Sequence, residues 1–242
     1  MKKLAELKCG ARFTYAGVEW VKLDDTDGGA LAIAAEPVFE RAFDEENCND
    51  WRKSSLRREL NGPFLDALIA EGADRAAFLN LESDLTADDG MTDYGTAADK
   101  IALISDGLYR KFRALIPKIG CWWWTLTPWT CDPEYSHRVR LVFSSGALNW
   151  NNAYSGYLGV RPLCNMKSDI LVSVPGEENA DDQEERRAAA VEEAAEAVME
   201  TLGDYAVSLW GDVLAAVVSS LFKSKQDAEE IVQEEKDKAA EG

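Results

Sequence analysis

The sequence of 242 residues predicts an α+β fold with small antiparallel sheets and two or more helices, followed by a C-terminal helical tail. Residues 12–23 are rich in aromatic and β-branched side chains, which favours strands. Residues 51–70 place apolar side chains at helical spacing. Residues 183–240 contain no proline and are dominated by Ala, Glu, Lys and Val, which favours a helix.

The first half of the chain is predicted to form a hairpin or a bent strand, a further strand and two helices. Gly17 provides the turn within residues 12–23, and residues 30–35 could form the next strand. Because proline lacks an N–H and clashes with the preceding turn, Pro63 is predicted to start a second helix. Residues 83–95 are acidic and rich in turn formers, which indicates a loop.

The second half of the chain is predicted to contain a short apolar strand at residues 100–105 and a helix at 106–115. From Cys121 the pattern changes to strand, turn and strand, with a last short strand at 170–174. Alternation places Val139, Leu141 and Phe143 on one face of a strand, and Arg138, Arg140 and Ser144 on the other.

Two features near residues 121–163 are predicted to be structural. Trp122 and Trp124 share one face of a strand and Trp123 takes the other, and at least one of these faces is expected to be core. Arg161 stands before Pro162 in an extended context. Its planar guanidinium is expected to hold a buried carboxylate or carbonyl group.

A polar, acidic stretch that begins at Pro175-Gly176 divides the chain. The predicted domains are a body at residues 1–174, a linker at 175–183 and the helical tail at 184–242. Residues 175–242 carry 19 acidic and 6 basic side chains, so most of the net charge of −18 lies there. An apolar seam at heptad spacing favours association with partner helices, most plausibly in a homo-oligomer. It consists of Val191, Ala195, Val198, Leu202, Tyr205 and Leu209.

Composition and motifs exclude several classes of partner and chemistry. The acidic balance argues against nucleic-acid binding. Residues 206–222 are apolar on most sides but short for a membrane span and contain Asp212, so burial against protein is favoured over membrane contact. The first residues lack the apolar core of a secretory signal. The five cysteines form no CxxC pair and are expected to be reduced, although Cys121 and Cys131 could face each other across a hairpin.

No motif indicates catalysis or a cofactor. The lone histidine, His137, supports neither a metal site nor a catalytic triad and is expected on an exposed strand. Asp88-Asp89-Gly90 lacks the spacing of a calcium-binding loop and indicates a polar turn. The sequence therefore predicts a non-enzymatic protein without a cofactor or metal.

Three blocks of residues 1–174 resemble a bacterial and phage domain family of unassigned function with a C-type-lectin-like fold. The family is related at fold level to formylglycine-generating enzymes and to the variable proteins of diversity-generating retroelements. The blocks are Asp50–Phe64, Lys100–Ser105, and the pair Trp122–Pro128 with Gly159–Leu163. Trp124 and Leu126 differ from the residues that are usual in the family's Trp-rich block, which corresponds to Trp122–Pro128. The helical tail lies outside the resemblance.

The resemblance implies a small sheet that places the closing Gly-Val-Arg-Pro strand beside the Trp-rich strand and exposes the residues before it. In diversified relatives those residues are randomised. Tyr and Trp give rigid contact area, and Asn and Ser give adaptable hydrogen bonds. The implied ligand-binding residues are Asn149, Trp150, Asn151, Asn152, Tyr154, Ser155 and Tyr157, with Trp129 and Tyr135 nearby.

Two functions are predicted from these features. The first is a binding module for a protein or glycan ligand, such as a retroelement-diversified variable protein or a phage receptor-binding protein. The second is a structural or assembly protein whose helical tail mediates oligomerisation. A weaker alternative is an oxidase in which Cys121 and Cys131 bind copper. The expected location is a phage virion or the bacterial cytoplasm.

Overall fold

The computed structural model describes residues 1–175, and the predicted linker and helical tail, which begin at residue 175, lie essentially outside this range. The described residues form a mixed α+β fold of small sheets and short helices, as predicted. The strands are β1 (Lys2–Lys3), β2 (Arg12–Tyr15), β3 (Val18–Thr26), β4 (Gly29–Ala34), β5 (Phe39–Glu40), β6 (Phe78–Leu79), β7 (Leu81–Asp84), β8 (Thr96–Asp99), β9 (Ile101–Ala102), β10 (Trp123–Pro128), β11 (Arg138–Val142), β12 (Leu148–Asn152), β13 (Gly159–Val160), β14 (Leu163–Lys167) and β15 (Leu171–Val172). The helices are α1 (Ser55–Glu59), α2 (Leu65–Ala70) and α3 (Asp106–Phe112), with short 3₁₀ turns at Leu4–Glu6 and Arg75–Ala77.

Two larger sheets organise these elements. The first has the strand order β12-β11-β10-β13-β5, and the second follows β2-β3-β4-β14-β6, with β9 also paired to β14. Two-stranded sheets join β1 to β15 and β7 to β8. In the first sheet β13 runs parallel to β10, with Gly159 opposite Trp123, so the closing strand lies beside the Trp-rich strand as predicted.

Two strands are buried on both faces because each separates two clusters of core residues. Along β4, Ala32 packs in the larger cluster and Ile33 in the smaller one. Along β10, Trp124 packs with Leu141 in the larger cluster, whereas Trp123 packs with Val142 in the smaller one. A continuous apolar run is the sequence signature of such a strand.

The predicted strands and the helix before Pro117 are confirmed within one to three residues at their ends. The hairpin turn between β2 and β3 uses Ala16 at φ +52° and Gly17 at φ +73°. Two successive residues with positive φ form the type of turn that fits the right-handed twist of the two strands. Asp89 accepts a hydrogen bond from the N–H of Met91, and Gly90 has φ +91°, which confirms a polar turn there.

The prediction that Pro63 starts a second helix is wrong. Helical backbone runs from α1 into α2 through a π-helical turn at Leu60–Phe64, and Pro63 lies inside that turn. The wider turn accommodates a residue that an α-helix would reject, because proline has no N–H and its ring clashes with the preceding turn. Within the same turn, the Asn61 side chain accepts hydrogen bonds from the N–H groups of Lys100 and Ile101, which ties it to β9.

Trp51 and Arg57 anchor this helical segment to the β7–β8 sheet. The Trp51 indole N–H donates to one Asp99 carboxylate oxygen at 2.9 Å, and Arg57 Nε donates to the other at 2.8 Å. Both Trp51 and Asp99 are buried. A carboxylate that leaves water is stabilised by such paired donors.

Candidate functional site

The predicted ligand-binding residues lie on and just after β12, which is an edge strand of the first sheet. All five residues of β12 are half-buried. Antiparallel pairing places Arg140 opposite Trp150 and Leu141 opposite Asn149. Because neighbouring residues of a strand point to opposite faces, the predicted patch is divided between two faces of the sheet.

We call the first of these the arginine face, formed by Trp129, Tyr135, Arg138, Arg140 and Trp150. The Arg138 guanidinium lies 4.2 Å from the centre of the Trp150 ring and 4.5 Å from that of Tyr135. Arg140 lies 5.4 Å from the Trp129 ring, and the Trp129 and Trp150 rings are 5.8 Å apart. These cation–π contacts hold the indole rings in fixed orientations.

Buried charges lie beneath the arginine face. Arg140 Nε donates to the Asp106 carboxylate at 3.0 Å, and Asp88 lies 3.6 Å from the same guanidinium. Asp106 is 2 % exposed, and its second carboxylate oxygen has no hydrogen-bond partner among the described residues. Burial raises the pKa of Asp106 above its ordinary value, and Arg140 opposes that rise. Alternation placed Arg140 on the face opposite Val139 and Leu141, and on that face Arg140 is buried within this cluster.

The second surface is the tyrosine face, formed by Trp122, Phe143, Asn149, Asn151 and Tyr157. The Trp122 ring lies 4.4 Å from that of Phe143 and 6.5 Å from that of Tyr157. The Asn151 side-chain amide donates to the Tyr157 hydroxyl at 2.8 Å. Trp122 is 40 % exposed and Tyr157 59 % exposed, so this face offers aromatic area to a partner.

Two more of the predicted residues, Asn152 and Tyr154, lie at the end of β12 and in the loop that follows it. Tyr154 is 57 % exposed, and its hydroxyl accepts a hydrogen bond from the Asn152 amide at 3.4 Å. Its backbone N–H donates to the Asn47 side chain, which fixes the loop after β12. Asn47 itself has φ +61°, a conformation that asparagine tolerates better than most residues.

Ser155 differs from the other predicted ligand-binding residues because it is buried, and it therefore offers little surface to a partner. Its N–H donates to the carbonyl of Asn152, which closes the turn after β12 and draws the small side chain inward. His137 was expected on an exposed strand but is half-buried and precedes β11. Its ring lies 6.5 Å from that of Tyr135, at the border of the arginine face.

The sequence patterns missed the residues that complete the two faces. Arg138 and Arg140 were interpreted only as the polar side of a strand, and Trp122 only as a structural residue. The signal that could have found them is the pairing itself, because alternation along β11 together with the Ser144-Ser145-Gly146 turn fixes which residues lie opposite β12.

The cysteines do not form a reactive pair in this structure. All five cysteines are free, and Cys121 and Cys131 are not bonded to each other. Burial raises the pKa of both thiols, which lowers the fraction of nucleophilic thiolate. Within residues 1–175, no group of three or more His, Cys, Asp or Glu side chains is arranged to hold a metal ion. The same residues contain no helix that is long and apolar enough to cross a bilayer.

Comparison with known proteins gives one match. Residues 70–168 are similar to a family described as a domain of unknown function, DUF6273. No curated protein and no solved structure matches the chain. The matched segment contains β6 to β14, and therefore both faces around β12, but not the strands β1 to β5 that complete the two sheets.

Proposed function

We propose that this chain is a non-enzymatic ligand-binding module that recognises a protein surface through the arginine and tyrosine faces around β12. The observation that supports the proposal is that exposed aromatic rings flank the edge strand β12. This strand belongs to a sheet in which β10 is buried on both faces. Tyr, Trp and Arg are the residues that contribute most to binding at protein interfaces. Their orientation by cation–π and hydrogen-bond contacts reduces the entropy lost on binding.

The fold that we propose for residues 1–174 is C-type-lectin-like. The parallel pairing of β13 with β10 supports it, because the resemblance implied that arrangement. We further propose that the residues from Asn149 to Tyr157 correspond to the diversified surface of retroelement variable proteins. Sequencing the neighbouring genome tests this proposal. We expect a reverse transcriptase and a near-copy of codons 140–163, and a locus without both contradicts diversification.

Binding is tested with peptides from a random display library selected on the full-length protein, and with a glycan array. Substituting Tyr154 and Tyr157 by Ala is expected to abolish binding of the selected peptides, while the free energy of unfolding changes by less than about 1 kcal/mol because both rings are more than half exposed. Leu171→Ala is the matched control, since Leu171 is 57 % exposed on the distant strand β15. Trp150→Ala then reports whether the arginine face contributes.

Peptides that bind both the Tyr variant and the wild type equally well contradict the proposed surface. A large loss of stability on Tyr substitution contradicts it too, because the rings would then be part of the core. Binding to glycans in place of peptides, with the same dependence on Tyr154 and Tyr157, keeps the surface and changes the class of ligand.

We propose as a second function that the chain is an assembly protein, because the tail carries a heptad seam from Val191 to Leu209. Replacing Leu202 and Leu209 by Asp in the full chain tests this. If sedimentation shows that the variant loses its oligomeric state and peptides still bind, the tail serves only to assemble binding modules. If wild type and variant sediment as the same species, the seam does not assemble the chain.

A further inference from the structure

A small pocket lies beside the turn between β11 and β12, outside the two faces described above except for its shared residue Phe143. Its floor is apolar and includes Trp123 and Val142, and Pro117 forms part of its wall. Arg113 and Lys118 line its rim, and no acidic side chain lines it. The pocket therefore combines an apolar interior with two cations.

The two cations converge on one glycine. A Cβ atom placed on Gly146 would lie 3.4 Å from the Arg113 Nη2 atom and 3.4 Å from the Lys118 Cε atom. Arg113 Nη2 and Lys118 Cε therefore lie within twice that distance of each other, and the Lys118 ammonium is one bond away from that carbon. Like charges at such separation repel, and the repulsion is relieved when an anion lies between them.

Neither cation has a carboxylate partner within residues 1–175. Arg113 lies over the Tyr109 ring at 5.8 Å and makes no ion pair there, and Lys118 makes none either. The carboxyl end of α3 attracts the charge of Arg113, which stabilises this residue without a carboxylate partner. Lys118 stands six residues beyond that helix and receives no such stabilisation.

The rest of the pocket is held rigid. The Tyr109 hydroxyl donates to the Gly146 carbonyl at 2.9 Å, which fixes the turn, and Gly146 adopts φ +83°. A third cation, Arg161, lies behind the floor, 4.7 Å from the Trp123 ring, and donates to the Pro117 carbonyl at 3.3 Å. Its charge adds to the positive potential of the pocket.

We propose that this pocket binds a phosphate or sulfate group, with Arg113 and Lys118 as its ligands. A guanidinium fork and an ammonium together match the geometry and charge of a tetrahedral dianion. The apolar walls formed by Trp123, Pro117 and Phe143 suit the organic part of an ester. This site is independent of the function proposed above, since it uses neither Tyr154 nor Tyr157.

The test is calorimetric titration of the full-length protein with inorganic phosphate, inorganic sulfate and phenyl phosphate, and with acetate as a carboxylate comparator. Arg113→Gln combined with Lys118→Gln is expected to weaken phosphate binding at least tenfold. The matched control, Arg75→Gln with Lys8→Gln, removes the same charge at exposed positions far along the chain and is expected to weaken binding less than twofold. Tighter binding of phenyl phosphate than of inorganic phosphate identifies the natural ligand as an ester, and equal binding identifies it as the free anion.

Two results overturn the proposal. One is the failure of all three oxyanions to bind wild type with a Kd below about 10 mM. The other is an equal loss of binding in the pocket variant and in the charge-matched control, which would show attraction by net charge alone. Circular dichroism of both variants verifies that each is folded, and loss of peptide binding in the Tyr154 and Tyr157 variant leaves these outcomes unchanged.

Discussion

Arg161 shows how one buried cation joins three separate segments. It is fully buried, and its guanidinium donates to the carbonyls of Ala34, Ala35 and Pro117 while stacking on Trp123. Burial lowers the pKa of Arg161 to about 10, so the side chain is still charged at neutral pH. The sequence predicted that the planar guanidinium of Arg161 holds a buried carboxylate or carbonyl group, and the structure shows carbonyls. The sequence could not predict which carbonyls, since these come from residues far apart in the chain.

Substituting Arg161 by Met tests this anchor. The variant removes the side-chain donor of two buried carbonyls, those of Ala34 and Ala35, and of the half-buried carbonyl of Pro117. Each buried group left unsatisfied costs about 1–3 kcal/mol. We therefore expect urea unfolding to show a loss of about 3–5 kcal/mol, as for a broken buried charge interaction. Arg161→Lys is expected to recover only part of that loss, because an ammonium lacks the planar fork. A loss below about 1 kcal/mol in the Met variant would show that water replaces the donors.

Asp106 stands where the sequence gives no sign of burial. An acidic residue in the first turn of a helix is an ordinary, solvated feature. In the structure α3 packs against β10 and β11, where Asp106 meets Arg140 and its N–H donates to the Thr127 hydroxyl at 2.9 Å. Only the tertiary arrangement brings Arg140 over that helix end, so local patterns cannot predict the pair.

The raised pKa of Asp106 predicts a specific dependence of stability on pH. Because the folded protein holds this proton more tightly than the unfolded chain, the contribution of Asp106 to stability is largest below its unfolded pKa. It falls as the pH rises through the folded pKa. Urea unfolding of wild type and Asp106→Asn measures this dependence between about pH 3.5 and about pH 7, a range that begins near the ordinary pKa of a carboxyl group. We expect the stability of wild type relative to the variant to fall with rising pH, and a rise would show that Arg140 outweighs burial.

At the scale of elements, hairpins and apolar strands were predicted, whereas the residues that complete the two faces were missed. The alternation of β11 was predicted, yet Arg140 and Trp150 share a face because of the register between β11 and β12, which the sequence interpretation did not use. Pro63 misled the helix prediction because a π-helical turn has no simple sequence pattern. Such turns are rare, so a proline is ordinarily a sound boundary.

Two glycines of different elements are predicted to respond oppositely to alanine. A Cβ on Gly29, the first residue of β4, would lie 2.5 Å from the Asn165 side-chain oxygen and 2.8 Å from the Met166 carbonyl oxygen. Since that carbonyl belongs to the paired strand β14 and cannot move freely, Gly29→Ala is expected to cost about 1–3 kcal/mol. Gly62 in the π-helical turn has nothing within 4 Å of such an atom. Gly62→Ala is expected to be neutral or to stabilise by up to about 1 kcal/mol.

Thermal unfolding of the two variants beside wild type makes the comparison. Equal effects at both positions would mean that the sheet adapts to a Cβ at Gly29 and that close strand packing does not require glycine there.

For the described body as a whole, the amino-terminal segment closes the fold. Strand β1 pairs with β15, and the N–H groups of Leu4 and Ala5 donate to the carbonyls of Ile170 and Ser168. Lys22 lies fully buried beneath this segment, where its ammonium donates to the carbonyls of Leu4 and Leu7. No pattern in the sequence predicts this role for Lys22, because a lysine within a strand is ordinarily exposed.

This arrangement predicts coupling between Lys22 and the first seven residues. Lys22→Met removes the side-chain donor of the Leu7 carbonyl and leaves the Leu4 carbonyl with only the N–H of Leu7. Deletion of residues 1–7 leaves the ammonium without its acceptors apart from Asp25. Each change alone is expected to lower the free energy of unfolding, by about 1–3 kcal/mol for each group left unsatisfied. The combined variant removes both partners, so its loss is expected to be smaller than the sum of the two by about 0.5–3 kcal/mol.

Urea unfolding of the four proteins measures this coupling, with Lys8→Met as the exposed lysine control. Strictly additive losses would show that Lys22 is stabilised by its ion pair with Asp25 and that the closing segment contributes only its strand pairing.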